Sequence, residues 1–481
     1  MDFLPVILWS DLLLWSLVLV SLVLGLLSRR NPLLRGAWRR VGASRAGMAS
    51  ATVLLAYLLI GLLDSLHYRP RLPETAAQTA AADEPRAAYA VDVHSLLDRL
   101  LWSLRTRNEK TYSEPLATRA YAKETIEVEG PGGQRLQQRD YPRLKHGGAH
   151  LGDHEAGRHA DIGQRLLRAG GLAVLIWLVT AAWVATARSR ATGGTPVQAW
   201  RQIWRNQSAF AWNAVLAAFA ALLLSAAAIA FLAGDYHVFG TDKVGQDVLY
   251  QVLKSVRTAL VVGLVTTLVT LPLSIFMGVL AGYFRGWVDD LIQYLYTTLS
   301  SIPGVLLVAA AVLMIQIVID THPQWFVTAV ERADLRLLAL CFILGLTSWT
   351  SVCRLLRGET MKLRELEYIQ AAQAFGVADL RIIARHILPN LMHLVIIALV
   401  MDFSSLVLAE AVLSYVGIGV DPTTISFGMM INNARMELAR EPVVWWSLVA
   451  AFAFMFVLVL AANLLADAVR DAFDPRQAGA A

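Results

Sequence analysis

The sequence predicts an all-α, polytopic membrane protein with about nine transmembrane helices, and three observations support this fold class. Apolar residues make up 56% of the 481-residue chain and charged residues only 16%, whereas a soluble domain carries about 25% charged residues. The apolar residues gather in runs of about 18 or more, each long enough to span the roughly 30 Å hydrocarbon core of a bilayer. Arginines gather between some of these runs without acidic neighbours, as in the cytoplasmic loops of membrane proteins.

The apolar runs define the predicted spans and their order. They cover residues 4–27, 46–66, 169–187, 209–233, 256–283, 291–319, 335–357, 393–415 and 443–468. If the spans alternate, the arginine-rich segments 28–45 and 188–208 fall on the same side as segment 359–390. This side is expected to be cytoplasmic, with the N-terminus outside and the C-terminus inside. Because Asp11 interrupts the first run and basic residues follow it, we interpret the run as a signal-anchor-like span rather than a cleaved signal peptide.

Composition also argues against several classes of function. The net charge of +5 reflects the arginine-rich loops, so it does not predict binding to nucleic acid. The sequence contains no G-x-x-x-x-G-K-[ST] run, so we do not expect the chain to hydrolyse a nucleotide or to be an enzyme. Cys341 and Cys353 fall about 18 Å apart in one predicted helix, so they are expected to be packing residues rather than a disulfide. No cofactor is expected.

Segment 359–390 is polar and helix-prone, although it lies between two predicted spans. Leu363, Leu366 and Ile369 fall near helical spacing. Gly376 predicts the end of this helix, and a second helix is expected to begin at Val377 and to end at Pro389. The segment therefore predicts a helix–turn–helix outside the membrane, with small residues at its bend that would allow another backbone to approach.

Several residues of this segment resemble the cytoplasmic signature loop of ABC-transporter permeases. The resemblance is carried by Gln370-Ala371-Ala372, by Gly376 and by Leu388-Pro389. The longer pattern that includes 368–376 and 385–390 is similar to the dipeptide and oligopeptide permease branch. Two positions depart from the general pattern, since Gln370 replaces Glu and His386 replaces an apolar residue.

Other stretches resemble the same family and occur in the expected order. They are 239–242 with 245–249, 281–284 with 286–289 and 302–303, 409–411 with 413–420 and 430–435, and the tail 467–476. Together with the loop they cover roughly residues 200–476. Their order and spacing support the resemblance more strongly than any one stretch does.

Hydropathy and the resemblance together divide the chain into four parts. These are 1–66 with two extra N-terminal transmembrane helices, 67–168 as an external segment, 169–199 with an extra transmembrane helix and a cytoplasmic linker, and 200–476 as a six-helix permease core. The N-terminal part, residues 1–190, is expected to be an accessory to a self-sufficient core. The alternative is that its spans pack into the core and are needed for folding.

The resemblance implies a permease subunit of an ATP-driven importer. Such a protein moves peptides or similar small solutes across the bacterial inner membrane by alternating access. Its implied partners are cytoplasmic ATPase subunits, a second permease subunit in a heterodimer, an external solute-binding protein and membrane lipid. A short helix around 369–375 is expected to insert into a groove of the ATPase. The expected coupling residues are Glu365, Tyr368, Gln370, Ala371, Ala372, Gly376, Arg381, Arg385, His386 and Pro389.

Four residues inside predicted spans have more than one interpretation. Asp402 and Glu410 lie eight positions apart in 393–415, on roughly one helix face. A carboxylate at the membrane centre costs about 2.5–3.5 kcal/mol on insertion scales, so the pair is expected to line the transport pathway or, for Glu410 above all, to make a structural hydrogen bond. Pro272 and Pro303 each remove a backbone hydrogen bond and are consistent with hinges or with static kinks.

A dense group of histidines and acids precedes the predicted span 169–187. Its members are His146, His150, Asp153, His154, Glu155, His159 and Asp161. On a helix, the first three histidines would share a face suited to a metal. Gly147, Gly148 and Gly152 argue against a stable helix here, so we interpret the group as a solvated loop and expect no metal site.

An ion-coupled secondary transporter is the competing functional interpretation. It would need inverted repeats, broken helices and charges near the middle of the membrane. Asp402 is the one deep candidate charge in the sequence, and loop 359–390 would have no role in such a protein. Copurification with an ATPase subunit distinguishes the two interpretations.

Overall fold

Helices dominate the computed structural model, which describes residues 3–28, 32–71, 89–129, 135–152, 155–205, 207–326 and 328–473. In chain order the helices are α1 Trp9–Ser28, α2 Pro32–Ala43, α3 Arg45–Asp64, α4 Leu96–Leu100, α5 Trp102–Thr106, α6 Arg158–Thr192, α7 Pro196–Trp204, α8 Trp212–Leu232, α9 Val248–Phe284, α10 Gly286–Ser301, α11 Gly304–Thr321, α12 Ala329–Arg364, α13 Glu367–Ala374, α14 Asp379–Ile382, α15 Leu388–Val416, α16 Phe427–Glu437 and α17 Trp446–Phe473. Single 3-10 turns cover Ala149–Leu151, Glu155–Gly157 and Pro323–Trp325, and a π-helical turn covers Ile383–Ile387. The strands are β1 Phe3–Val6, β2 His67–Pro70, β3 His94–Ser95, β4 Glu124–Glu129 and β5 Arg135–Asp140.

Eight helical segments among the described residues are long and apolar enough to cross a membrane. They are α3, α6, α8, α9, α11, α12, α17 and the continuous segment Asp379–Val416 that ends in α15. In α1 the apolar stretch is shorter and covers Trp9–Val23. The all-α polytopic fold class is therefore confirmed, with eight candidate spans in the described part of the chain.

The predicted span 4–27 does not begin as a helix. Its first residues form β1, which pairs antiparallel with β2 and places Leu4 opposite Arg69. Because β1 is at the edge of a three-stranded sheet, Pro5 can occupy it without removing a hydrogen bond from the interior of the sheet. The helix begins only at Trp9, so the apolar helix is shorter than predicted.

The predicted span 291–319 is two helices, α10 and α11, with Pro303 between them. Proline disfavours the helical conformation in the residue before it, and Ile302 is accordingly extended, with φ −88° and ψ 132°. The prediction that Pro303 lies inside a span is therefore wrong. Pro272 does lie inside α9.

The chain forms two compact units that interleave in sequence. The first comprises Met1–Val6, Gly42–Arg257 and Ile425–Ala461, and the second comprises Ile7–Val41, Thr258–Thr424 and Ala462–Ala481. Helices α9 and α17 are each divided between the two units, with one part in each. In the first unit, Trp177 of α6 donates a 2.9 Å hydrogen bond to the carbonyl of Leu216 in α8. The hydroxyl of Tyr57 in α3 donates at 2.9 Å to the carbonyl of Phe454 in α17.

The second unit joins the beginning of the chain to helices near its end. The backbone N–H of Ser10 in α1 donates at 3.2 Å to the carboxylate of Asp334 in α12. In α2, the guanidinium of Arg40 donates to the carbonyl of Ala472 at 2.6 and 3.0 Å. Helices α9 and α12 approach closely, since a Cβ added to Gly282 would lie 2.6 Å from Cβ of Thr360. Helices of the predicted accessory part and of the predicted core thus pack in one unit.

Candidate functional site

The predicted coupling loop, residues 359–390, folds as two short helices joined by a left-handed glycine. Gly376 ends α13 with φ +72°, and its N–H donates to the carbonyl of Gln373 at 2.9 Å. A Cβ at Gly376 would meet no atom within 4 Å. Glycine is therefore favoured here by the backbone conformation and not by lack of space.

The sequence predicts that the second helix of the loop ends at Pro389, but in the structure the helix continues past this residue. Helix α14 continues through the π-helical turn Ile383–Ile387 directly into α15. Pro389 lies in the first turn of α15, directly after the π-helical turn. The loop is thus continuous with the following span.

Buried isoleucines attach the loop to the second unit. Ile369 of α13, Ile382 of α14 and Ile387 of the π-helical turn are fully buried in one hydrophobic cluster. The same cluster contains Leu356 of α12. Because such side chains are stabilised by the apolar area they remove from water, the loop has a fixed base rather than a free hinge.

A tyrosine at the end of α9 connects both helices of the loop. The hydroxyl of Tyr283 donates to Asp379 at 2.6 Å and accepts from the amide of Gln373 at 3.1 Å. The guanidinium of Arg364 lies over its ring, 5.7 Å from the centroid. The sequence analysis did not assign Tyr283 to the site, although residues 281–284 were among the stretches that carried the family resemblance.

The predicted coupling residues near the start of the loop mostly contact one another. Glu365 pairs with Arg285, and the amide of Gln370 donates to the Glu365 carbonyl at 3.3 Å. The ring of Tyr368 lies 5.9 Å from that of His386, and the Tyr368 hydroxyl accepts from Asn390 at 3.1 Å. These contacts hold the two ends of the loop in place.

The outer surface of the loop carries both predicted and unpredicted residues. Gln370, Ala371, Gly376, Arg381, Arg385 and Pro389 are exposed, whereas Ala372 is half-buried against the hydrophobic cluster. Two apolar side chains on either side of the bend are strongly exposed, Phe375 by 86% and Leu380 by 77%. Sequence reasoning did not select these two, because an exposed apolar residue cannot be recognised before the fold is known.

The two carboxylates of α15 have different surroundings. Glu410 is buried and accepts a 2.6 Å hydrogen bond from the hydroxyl of Ser414, which favours the structural interpretation of this residue. Asp402 is half-buried, and within the described part of the chain its carboxylate has no hydrogen bond or ion pair. Asp402 therefore remains the better candidate for lining a pathway.

The histidine-rich group is distributed over several contacts. His150 lies 3.0 Å from the carboxylate of Asp161, which also pairs with Arg165. Asp153 and His154 lie outside the described residues. Among the residues that the structure does describe, no group of three or more His, Cys, Asp or Glu side chains is placed to hold a metal ion.

A buried charge cluster joins the predicted external segment to the residues that precede α9. His237 lies between Asp247, at 2.8 Å, and Glu109, at 3.3 Å. Glu109 also accepts from the backbone N–H groups of Lys145, His146 and Gly147 at 2.7–3.1 Å. Burial alone would lower the pKa of His237, but its hydrogen bonds to the two carboxylates raise the pKa to about 9. Burial opposes ionisation of Glu109, yet these hydrogen bonds lower its pKa to about 2.

Together, the apolar helices and the anchored polar loop define a multi-pass membrane protein. Comparison with known proteins identifies its family. Residues 274–479 match the model of the binding-protein-dependent transport system inner membrane component. The glutathione transport system permease protein GsiD of Escherichia coli O157:H7 is 32% identical over 243 residues, which is 50% of this chain and 73% of that protein. This chain belongs to the permease family of binding-protein-dependent ABC importers, whose members are multi-pass inner-membrane subunits and not the ATPase.

Two further comparisons each cover about half of the chain. The oligopeptide transport system permease protein OppC of Mycobacterium tuberculosis is 29% identical over 242 residues, covering 50% of this chain and 77% of that protein. A chain of the inward-facing MetNI methionine ABC transporter aligns at 16% identity with a TM-score of 0.34, over 46% of this chain and 97% of that one.

Proposed function

We propose that this permease imports peptides or similar small solutes by alternating access, and that loop 359–390 couples it to separate ATPase subunits. The single observation that carries the coupling proposal is the pair of exposed apolar side chains, Phe375 and Leu380, beside the bend at Gly376. Two strongly exposed apolar side chains beside a bend are suited to burial in a groove of a partner.

The base of the loop supports a mechanical role. A motion of the docked ATPase can reach the transmembrane helices only if the loop does not move independently of them. Ile369 and Ile382 are fully buried in the second unit, and Tyr283 bridges Gln373 and Asp379. Arg381 and Arg385 are exposed and are suited to pair with acidic groups or helix C-termini of the partner.

The family supports the remaining partners of the proposal, and the arginine-rich segments support its orientation. A second permease subunit, as a heterodimer, would complete the pathway, and an external solute-binding protein would deliver the cargo. The names of two relatives refer to oligopeptides and to glutathione, which supports a peptide-like cargo here. The arginine-rich segments 28–45 and 188–208 favour a cytoplasmic coupling loop, an external N-terminus and a cytoplasmic C-terminus. Asp402 is the residue that we place on the pathway.

Copurification with the ATPase subunits tests the coupling proposal. The double variant Phe375→Glu/Leu380→Glu should insert normally but retain little ATPase, because two buried contacts would become desolvated charges. The matched control is Val91→Glu/Leu100→Glu, which changes two exposed apolar residues of the external segment. ATPase recovery equal to wild type in the loop variant would disprove the proposal.

A further inference from the structure

Helix α6 is longer than a membrane span requires and extends past its neighbour α8. Its 35 residues measure about 52 Å, compared with a hydrocarbon core of about 30 Å. Two contacts fix its register against α8 and the residues that follow α8. Trp177 donates to Leu216 in the first turns of α8, and Asp161 accepts a 2.9 Å hydrogen bond from Tyr236. Residues 182–192 of α6 therefore continue beyond the start of α8, towards a membrane surface.

The short helix α7 packs beside this extension. Gly193 ends α6 with φ +70°, and Thr195 begins α7 with a reciprocal capping box to Gln198. Ile203 of α7 is buried in a cluster with residues of α6 and α8. The ring of Trp200 lies 6.4 Å from that of Trp177 and 5.7 Å from that of Trp204. Tryptophans are typical of the membrane–water interface.

Four arginines on or directly after the two helices have no acidic partner among the described residues. Segment 188–208 contains Arg188, Arg190, Arg201 and Arg205 but no Asp or Glu. None of the four side chains makes a hydrogen bond or ion pair with any residue that the structure describes. By contrast, Arg165 near the other end of α6 pairs with two aspartates. The basic end of α6 and α7 is therefore an uncompensated positive surface.

One atom of Arg188 gives a further reason to expect a partner from outside the chain. Its Nε atom is buried and has no hydrogen-bond acceptor within the part of the chain that the structure describes. Buried donors are nearly always satisfied, because an unpaired one retains its full cost of desolvation. An acceptor supplied from outside the chain would satisfy it.

We propose that the basic–aromatic surface formed by Arg188, Arg190, Trp200, Arg201, Trp204 and Arg205 binds anionic phospholipid headgroups. Phosphate oxygens supply the acceptors that the guanidinium groups lack, and arginine matches phosphate geometry well. The tryptophans favour the headgroup region and leave their apolar rings towards the acyl chains. Each basic residue at an anionic membrane surface strengthens binding by about five-fold.

Native mass spectrometry of the full chain tests this surface with phosphatidylglycerol and phosphatidylcholine of identical acyl chains. We expect wild type to bind the first phosphatidylglycerol at least about five-fold more tightly than phosphatidylcholine. The variant Arg188→Gln/Arg201→Gln/Arg205→Gln should lose this preference. The corresponding triple Lys variant should keep most of it, because the charge remains.

A matched control removes the same charge elsewhere in the first unit. Arg99→Gln/Arg139→Gln/Lys243→Gln changes three exposed basic residues outside α6 and α7 and should preserve the preference. Melting temperatures of the variants establish that the comparison is made on folded protein. Equal affinity of wild type for the two lipids would overturn the proposal, as would an undiminished preference in the triple Gln variant.

Discussion

The hydroxyl of Tyr283 lies 2.6 Å from the carboxylate of Asp379, although 96 positions separate the two residues in sequence. Tyr283 is at the end of α9, whereas Asp379 begins the second helix of the coupling loop. The bond therefore joins the loop to a helix that approaches it from a different part of the chain. If the loop receives force from an ATPase, this contact is one route by which α9 receives it too.

Tyr283→Phe should reduce transport several-fold while leaving the ATPase bound. The ring and its contact with Arg364 remain, but two hydrogen bonds of about 1 kcal/mol each are lost. Transport and ATPase activity in proteoliposomes measure the effect. Tyr294→Phe, at an exposed tyrosine of α10, is the control, and equal activity of the two variants would contradict the prediction.

Substitutions at Gly376 should distinguish the effect of its backbone conformation from the effect of side-chain size. Non-glycine residues in the left-handed region cost about 1–2 kcal/mol, and asparagine tolerates it better than most. We expect Gly376→Val to abolish transport and Gly376→Asn to retain most of it, since a side chain there has open space. Transport assays on the two variants, expressed at equal levels, test this prediction. Similar loss in both variants would instead indicate that a partner backbone packs against Gly376.

The buried cluster around His237 should make the external segment sensitive to pH. The pKa of His237 is raised from 6.5 to about 9, so its stabilising contribution is complete below pH 6.5 and is lost as the pH rises through about 9. The pKa of Glu109 is lowered from 4.5 to about 2, so its contribution is present above pH 4.5 and is lost as the pH falls through about 2.

Hydrogen exchange of the backbone near Glu109 and Gly147 should therefore be slowest near pH 6, after correction for intrinsic rates, and faster near pH 9.5. His237→Gln should remove most of this difference. His159→Gln, at an exposed histidine, should leave it unchanged. A pH response that persists in His237→Gln would assign the effect to other groups.

Arg40→Met should lower the melting temperature, whereas Arg39→Met should not. Arg40 donates two hydrogen bonds to the carbonyl of Ala472, near the end of α17, where a cation is also favoured by the helix dipole. The loss should be about 1–2 kcal/mol. Arg39 is an exposed neighbour of the same charge, so similar shifts in both variants would rule out a specific role for the Arg40 contact.

Cysteine labelling tests the proposed orientation. Both native cysteines are buried, so an introduced thiol should dominate the signal. Val91→Cys, in the external segment, should react with an impermeant reagent in cells whose outer barrier has been removed. Ala374→Cys, in the coupling loop, should react only after lysis. The opposite pattern would invert the topology.

Local signals made some features predictable and left others hidden. The left-handed bend at Gly376 followed from one residue type and its neighbours. The sequence analysis missed the helix break at Pro303 because the apolar residues on both sides form one continuous run. The proline itself was the signal that could have indicated the break. No periodic pattern in the sequence indicates the Tyr283–Asp379 hydrogen bond or the exposure of Phe375, because each depends on how distant helices pack.

The contact between Ser10 and Asp334 also sets an order of events during synthesis. The two residues are separated by 324 positions, and ribosomes add about 5–20 residues per second. For about 15–65 s, therefore, α1 has left the ribosome while its partner on α12 does not yet exist. Membrane insertion machinery, lipid or another subunit must accommodate α1 during that interval, so the rate of elongation becomes a variable that can change the yield of correctly assembled protein.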